Sequence, residues 1–197
     1  MNYDFNAIVG NFSIDGDFLM ASPHGCGHIN DTFAVVVNEA GNQVRYIIQR
    51  INQNVFKSPL ELMNNIRRVT EHQQRKLTGH SDALRRSLAL IPSLDGNSHH
   101  FDEHGNLWRC YVFIEGASTY NIVETPAQAF QAAKAFGQFQ KDLVDLPGAR
   151  LFETIPDFHN TPKRFESLLN AIEMDHHNRA AGVGEEIEFA LARDAMT

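Results

Sequence analysis

Apolar and polar positions along the chain change period twice, and those changes divide it. Between residues 17 and 51 the period is two. Apolar runs at 17–21, 32–38 and 44–51 are rich in β-branched and aromatic residues and are separated by turn formers. This pattern predicts three consecutive strands in an antiparallel meander. Phe5, Ile8, Val9, Phe12 and Ile14 recur at roughly helical spacing and predict a short helix within 2–14. Ser58-Pro59-Leu60-Glu61 reads as an N-cap, a first-turn proline and a capping-box acid. Leu62, Ile66 and Val69 then continue a helical stripe to about residue 77. Strand patterns return at 88–91, 98–101 and 107–114, with turns at Asp95-Gly96-Asn97 and His104-Gly105-Asn106.

After Glu115-Gly116 the pattern becomes helical. Stretches start near Thr125-Pro126, Thr161-Pro162 and Gly184, with Asn160 or Thr161 expected to cap the second. The last runs to the C-terminus without a glycine or asparagine stop, so the chain is expected to be part of a longer one. The expected fold class is α+β. A β-rich lobe spans 1–114, and a hinge with the start of a helical lobe spans 115–197.

Composition narrows the class of function. The 197 residues are 43% hydrophobic and 21% charged, with a net charge of -7. That balance leaves no electrostatic footprint for nucleic acid or an anionic membrane and favours small-molecule partners. Two cysteines, Cys26 and Cys110, form no disulfide framework, and the N-terminus carries no signal-peptide pattern. Both point to the cytoplasm. No run of 18 apolar residues occurs. Nothing in the sequence sets the oligomeric state.

The stretch with most chemical content is Pro23-His24-Gly25-Cys26-Gly27-His28-Ile29-Asn30-Asp31. Two glycines one residue apart let a backbone bend sharply and turn several N–H groups toward one point, which suits a phosphate. A plain hairpin has the same signature. His28 and Asn30 can donate to phosphate or acceptor oxygens, or Asn30 can serve the turn itself. The paired histidines 99–100 and 176–177, with His104, lack the companions of a metal set, so no metal ligand is expected among them. Cys26 has no base placed for nucleophilic work.

Several stretches carry a family resemblance, in order along almost the whole chain. They are Gly27-His28-Ile29-Asn30-Asp31-Thr32-Phe33, Tyr46 to Asn52, Asn54-Val55-Phe56-Lys57, Leu62-Met63-Asn64-Asn65 and Trp108-Arg109 to Glu115. Ala135 to Gln140 and Phe158 to Phe165 complete the set. Together they resemble the aminoglycoside phosphotransferase superfamily, which is protein-kinase-like, and within it the N-acetylhexosamine 1-kinase-like sugar kinases. The resemblance implies a kinase N-terminal lobe followed by the first helices of a second lobe. It also implies transfer of the γ-phosphoryl group of ATP, with Mg²⁺, to a sugar's anomeric hydroxyl.

On that resemblance Gly25, Cys26, Gly27, His28 and Asn30 cover the phosphates. Gln49 or Arg50 stands where the usual third-strand lysine is missing, and Arg50 is the one that carries charge. Glu61 or Glu71 is the partner acid. Phe113 and Glu115 meet adenine, with Phe18, Val35, Ile48 and Phe113 as its apolar wall, although the same four also read as ordinary core. His159 and Arg164 line the sugar pocket. The family's His-x-Asp-x-x-x-x-Asn loop is not found: Ser87 stands where the asparagine belongs after His80-Ser81-Asp82, and Asp175-His176-His177-Asn178 has the wrong spacing. No catalytic residue is therefore expected within 1–197. The base and the Mg²⁺ ligands are expected beyond Thr197, and this piece alone is expected to be inactive. The alternative is a non-catalytic nucleotide- or sugar-binding module.

Overall fold

A computed structural model describes residues 3–196, and the chain forms two compact units, Met1–Thr154 and Ile155–Thr197. The first is α+β. Its elements are α1 (Phe5–Val9), β1 (Asp17–Pro23), β2 (Asp31–Glu39), β3 (Asn42–Arg50), α2 (Pro59–Lys76) and α3 (Ala83–Arg86). They are followed by β4 (Leu90–Ile91), β5 (His100–Phe101), β6 (Leu107–Val112) and α4 (Pro126–Leu143). The strands make one antiparallel six-stranded sheet in the order β1-β2-β3-β6-β4, with β5 also on β6.

The expected meander is present. β2 and β3 pair without interruption from Asp31↔Arg50 to Glu39↔Asn42. Ala40 and Gly41 both adopt positive φ between them, and Asn38 Oδ1 accepts from the Gly41 N–H at 3.0 Å. The strands expected at 88–91 and 98–101 are each only two residues long, because both short segments must share β6 as their partner. The first helix, expected from Asn2 (outside the described residues), runs from Phe5 to Val9. Ser58 precedes α2 but makes no side-chain capping bond, so the expected capping box is not formed. Thr125 and Gln128 do form one at the start of α4.

Apolar residues cover both faces of the sheet. On one face α1 packs Ile8, Val9 and Phe12 against Val35, Val37, Ile48, Trp108 and Cys110, all essentially solvent-free. Each such side chain contributes about 1.5–3 kcal/mol. On the other face Met63 of α2, with Leu62 and Ile66, packs on Ile51 and Leu107. Polar bonds then hold α2 to the end of α4 and the chain that follows it. His72 Nε2 lies 3.0 Å from the Asp142 carbonyl, Arg68 donates to the carbonyls of Pro147 and Ala149, and Asn65 exchanges two bonds with the Phe152 backbone.

The second unit contains α5 (Thr161–Met174), a 3₁₀ turn and α6 (Gly184–Leu191). Asn160 is the cap of α5, accepting from the Lys163 N–H at 3.2 Å. α6 stops at Leu191, and a 3₁₀ turn replaces the continuous helix expected there. Among the described residues no helix is long and apolar enough to cross a membrane.

Candidate functional site

The connection between β1 and β2 is closed by the His24 N–H, which donates to the Thr32 carbonyl at 2.9 Å. The glycine stretch is therefore a hairpin connection at the end of the sheet. Only Gly25 uses the left-handed region, at φ 78°, whereas Gly27 does not. A Cβ at either position would meet nothing within 4 Å, so the bend is open on its outer side. Cys26 is exposed, with Sγ 3.6 Å from Asn121 Oδ1, and His28 is exposed beside it. Asn30 Oδ1 accepts from the Asn52 N–H at 2.9 Å, which ties the end of the bend to the segment after β3.

Strand alternation separates the two β3 residues expected near phosphate. Arg50 sits in the row Asp31–Arg50–Trp108, on the α1 face. Its guanidinium bonds Asp31 at 2.6 and 2.8 Å, and Tyr3 donates to the same carboxylate at 2.7 Å. The Tyr3 hydroxyl, and after it Arg50, hold the Asp31 carboxyl below its ordinary value against the opposing effect of burial. The Arg50 charge is already matched inside the fold.

Gln49 sits in the next row, Thr32–Gln49–Arg109, on the face that carries α2. Gln49 Nε2 donates to Thr32 Oγ1 at 2.6 Å, and Gln49 Oε1 accepts from Arg109 Nε at 2.9 Å and also from Nη2. The Arg109 guanidinium lies 5.2 Å from the centre of the Tyr111 ring. Its Nη1 is out of contact with solvent and has no hydrogen-bond partner among the described residues. Burial pushes its pKa down, yet a guanidinium stays charged. Among the described residues no carboxylate pairs with it. Glu71, one of the two acids considered for α2, faces Arg67 at 3.7 Å.

The same alternation corrects the expected apolar wall. Val35 and Ile48 are fully buried in the core under α1, and Phe18 packs against that core. The half-exposed apolar positions lie on the opposite face: Ala34, Val36 and Ile47, in the rows beside Gln49. Phe113 is the member of the expected wall that adjoins the glycine bend. Its ring is 5.3 Å from the His24 ring and 4.0 Å from the Arg45 guanidinium. Arg45 grips the Glu115 carboxylate through two nitrogens and holds it below its ordinary pKa, and Arg85 donates to the Glu115 carbonyl.

The bend, the Gln49 row and the connector thus belong to one half of one unit. His159 and Arg164 belong to the second unit, where Arg164 Nε donates to the Phe158 carbonyl at 2.7 Å and the guanidinium lies 5.0 Å from that ring.

A separate concavity of about 450 Å³ opens on the α1 face between Tyr3, Asn11, His100 and Asp102. Two of its acids serve the fold: Asp4 caps α1, and Asp102 accepts from the Trp108 indole at 2.8 Å and from Asn106. No three His, Cys, Asp or Glu side chains converge as a metal-binding group among the described residues. Arg109 is the residue that sequence reasoning passed over. The available signal was its position as the one charged residue in the run from Leu107 to Ile114. Compared against models of known protein families, the chain matches none.

Proposed function

We propose that this chain is the nucleotide-binding part of an ATP-dependent phosphotransferase, with a kinase-like N-terminal lobe. The acceptor is a small hydroxylated molecule, an N-acetylhexosamine or related sugar phosphorylated at its anomeric hydroxyl. The observation that carries the reading is the contact of His24 with Phe113, which puts the glycine bend beside the connector that follows β6. A nucleotide lying along that edge has open backbone at Gly25–Gly27 for its phosphates. It has the half-exposed Ala34, Val36 and Ile47 under its base, and the Glu115 carbonyl and connector amides at the base's polar rim.

Phosphoryl transfer is catalysed mainly by positioning and by electrostatic stabilisation of the transferring group, so a binding lobe of this kind performs part of the work. Mg²⁺ supplies charge neutralisation on the phosphates when it is bound. Among the described residues no three metal-ligating side chains converge for it, and the reading assigns neither metal ligand nor base to residues 1–197. His159 and Arg164 are kept as sugar contacts on the resemblance alone. A cytoplasmic setting fits two cysteines that are both free thiols.

The test is ADP release by the complete polypeptide with ATP, Mg²⁺ and a panel of acceptors. The panel contains N-acetylglucosamine, N-acetylgalactosamine, other hexoses, aminoglycosides and choline. Turnover stimulated by an N-acetylhexosamine is expected. Stimulation by choline or an aminoglycoside alone would move the acceptor assignment. ATP binding without turnover on any acceptor would favour the non-catalytic module.

A further inference from the structure

The row Thr32–Gln49–Arg109 is a short chain of hydrogen bonds with an unusual polarity. Gln49 uses its carbonyl oxygen to hold Arg109 and its amide nitrogen to hold Thr32 Oγ1. Thr32 accepts in that bond, which leaves its hydroxyl hydrogen to donate. At the far end Arg109 Nη1 is a donor without an acceptor. Both ends of the row therefore offer hydrogen, and the Arg109 end carries a full positive charge that no carboxylate offsets among the described residues. Arg50, one residue from Gln49, shows the contrast, because its charge meets Asp31 directly. A largely covered guanidinium that meets no carboxylate is costly to a fold, and a ligand that brings the missing negative charge relieves that cost.

We propose that Arg109, positioned by Gln49, is the phosphate receptor of the site. The cation that the resemblance leads one to seek on β3 is supplied from the neighbouring strand β6. The inference rests on the nucleotide reading for the identity of the ligand, but the anion site stands on its own geometry. Thr32, Gln49 and Arg109 lie on three adjacent strands, so the row spans roughly 10 Å across the sheet, starting next to the glycine bend. A polyphosphate lies along it with oxygens toward the Thr32 hydroxyl and the guanidinium. Nη1 is covered in this structure, so binding includes a joint shift of the Gln49 and Arg109 side chains that uncovers Nη1 while the two bonds between them persist. Gln49 is a positioning residue. Its carbonyl fixes two of the guanidinium nitrogens and leaves the third for the ligand.

The experiment is calorimetric titration of the chain with ATP, adenosine and pyrophosphate, in the wild type and in Arg109→Met and Arg109→Lys. ATP and pyrophosphate affinities are expected to fall at least about tenfold in Arg109→Met, while adenosine is unaffected and Arg109→Lys recovers part of the loss. Thermal melting followed by Trp108 fluorescence is expected to show Arg109→Met no less stable than the wild type, because methionine removes an uncompensated charge. A guanidinium with only a structural role would instead give a less stable variant. Unchanged ATP and pyrophosphate affinity in a folded Arg109→Met overturns the proposal and leaves the nucleotide reading intact. Pyrophosphate binding that depends on Arg109, with no adenosine or ATP binding, upholds the anion site and overturns the nucleotide reading. No binding of any of the three to the wild type overturns both.

Discussion

Gly25 and Gly27 stand one residue apart and meet different demands. Gly25 has φ 78° with open space around it, so alanine there strains the backbone without a clash. Gly25→Ala is expected to cost about 1 kcal/mol by urea denaturation. Gly27 has ordinary φ and the same open space, so Gly27→Ala is expected to change stability by less than about 0.5 kcal/mol. If Gly27→Ala also weakens ATP binding, the glycine serves close approach of ligand rather than the bend. A Gly27→Ala variant that binds ATP as the wild type does would remove it from the phosphate cradle.

Asp31 fixes an acid-side dependence. Its carboxyl is held below the ordinary value of 3.8 in the folded chain, so the ionised form is favoured by folding. Its contribution to stability is fully present above that ordinary value and is lost as pH falls through the lower, folded-state value. The urea midpoint of the wild type is expected to drop as pH falls below the ordinary carboxyl value of 3.8 and through the lower, folded-state value. In Asp31→Asn the drop is expected to be smaller. Equal acid sensitivity in both proteins would show that the Tyr3–Asp31–Arg50 group does not contribute to it.

At the scale of elements, the order strand, bend, strand, strand, helix, strand was legible because a period of two and a period of 3.6 alternate cleanly through 17–112. Which face each strand residue takes was not. Alternation tells that Gln49 and Arg50 diverge, but β2 is apolar at every position from Phe33 to Val37, and β3 has Ile47 beside Ile48. Those runs have no polar side to fix parity, which is why Val35 and Ile48 could be read as a ligand wall. α3, at Ala83–Arg86, is too short to display a period, and so Arg85 and its bond to the Glu115 carbonyl were invisible in advance.

Two substitutions act on these elements. Met63 is almost fully buried where α2 meets Ile51 and Leu107, and Met63→Ala is expected to cost about 2–5 kcal/mol with cooperative unfolding retained. A cost near zero would mean that α2 is not seated on the sheet as described. Arg85 occupies the carbonyl that the nucleotide reading gives to adenine. Arg85→Ala is therefore expected to tighten adenosine binding, by up to about tenfold. Weaker binding would assign Arg85 to the ligand instead of to competition with it.

For the whole molecule, the sheet and the connector make a half-exposed face with a glycine bend at one edge and a cation in its floor that no carboxylate matches among the described residues. Those features lie in one compact unit, and on the proposed reading they serve a nucleotide polyanion with backbone donors, a positive charge and an apolar surface for the base. The collinear resemblance suggested an order of parts and a class of reaction, and the reaction remains the proposal made above. The register of the sheet supplied the residue proposed as the anion receptor, Arg109, because strand pairing brings together residues as distant in sequence as Thr32 and Arg109.

The most direct measurement uses the thiol already present in the bend. Cys26 is exposed and Cys110 is fully buried, where burial also raises its pKa, so a thiol reagent modifies one site in the folded chain and two after denaturation. If the bend covers the phosphates of bound nucleotide, saturating ATP slows Cys26 modification by about fivefold or more. Adenosine, which lacks the phosphates, has a smaller effect. A Cys26 rate that is the same with and without millimolar ATP, in a chain whose Cys110 remains protected, would contradict the placement of nucleotide at this hairpin.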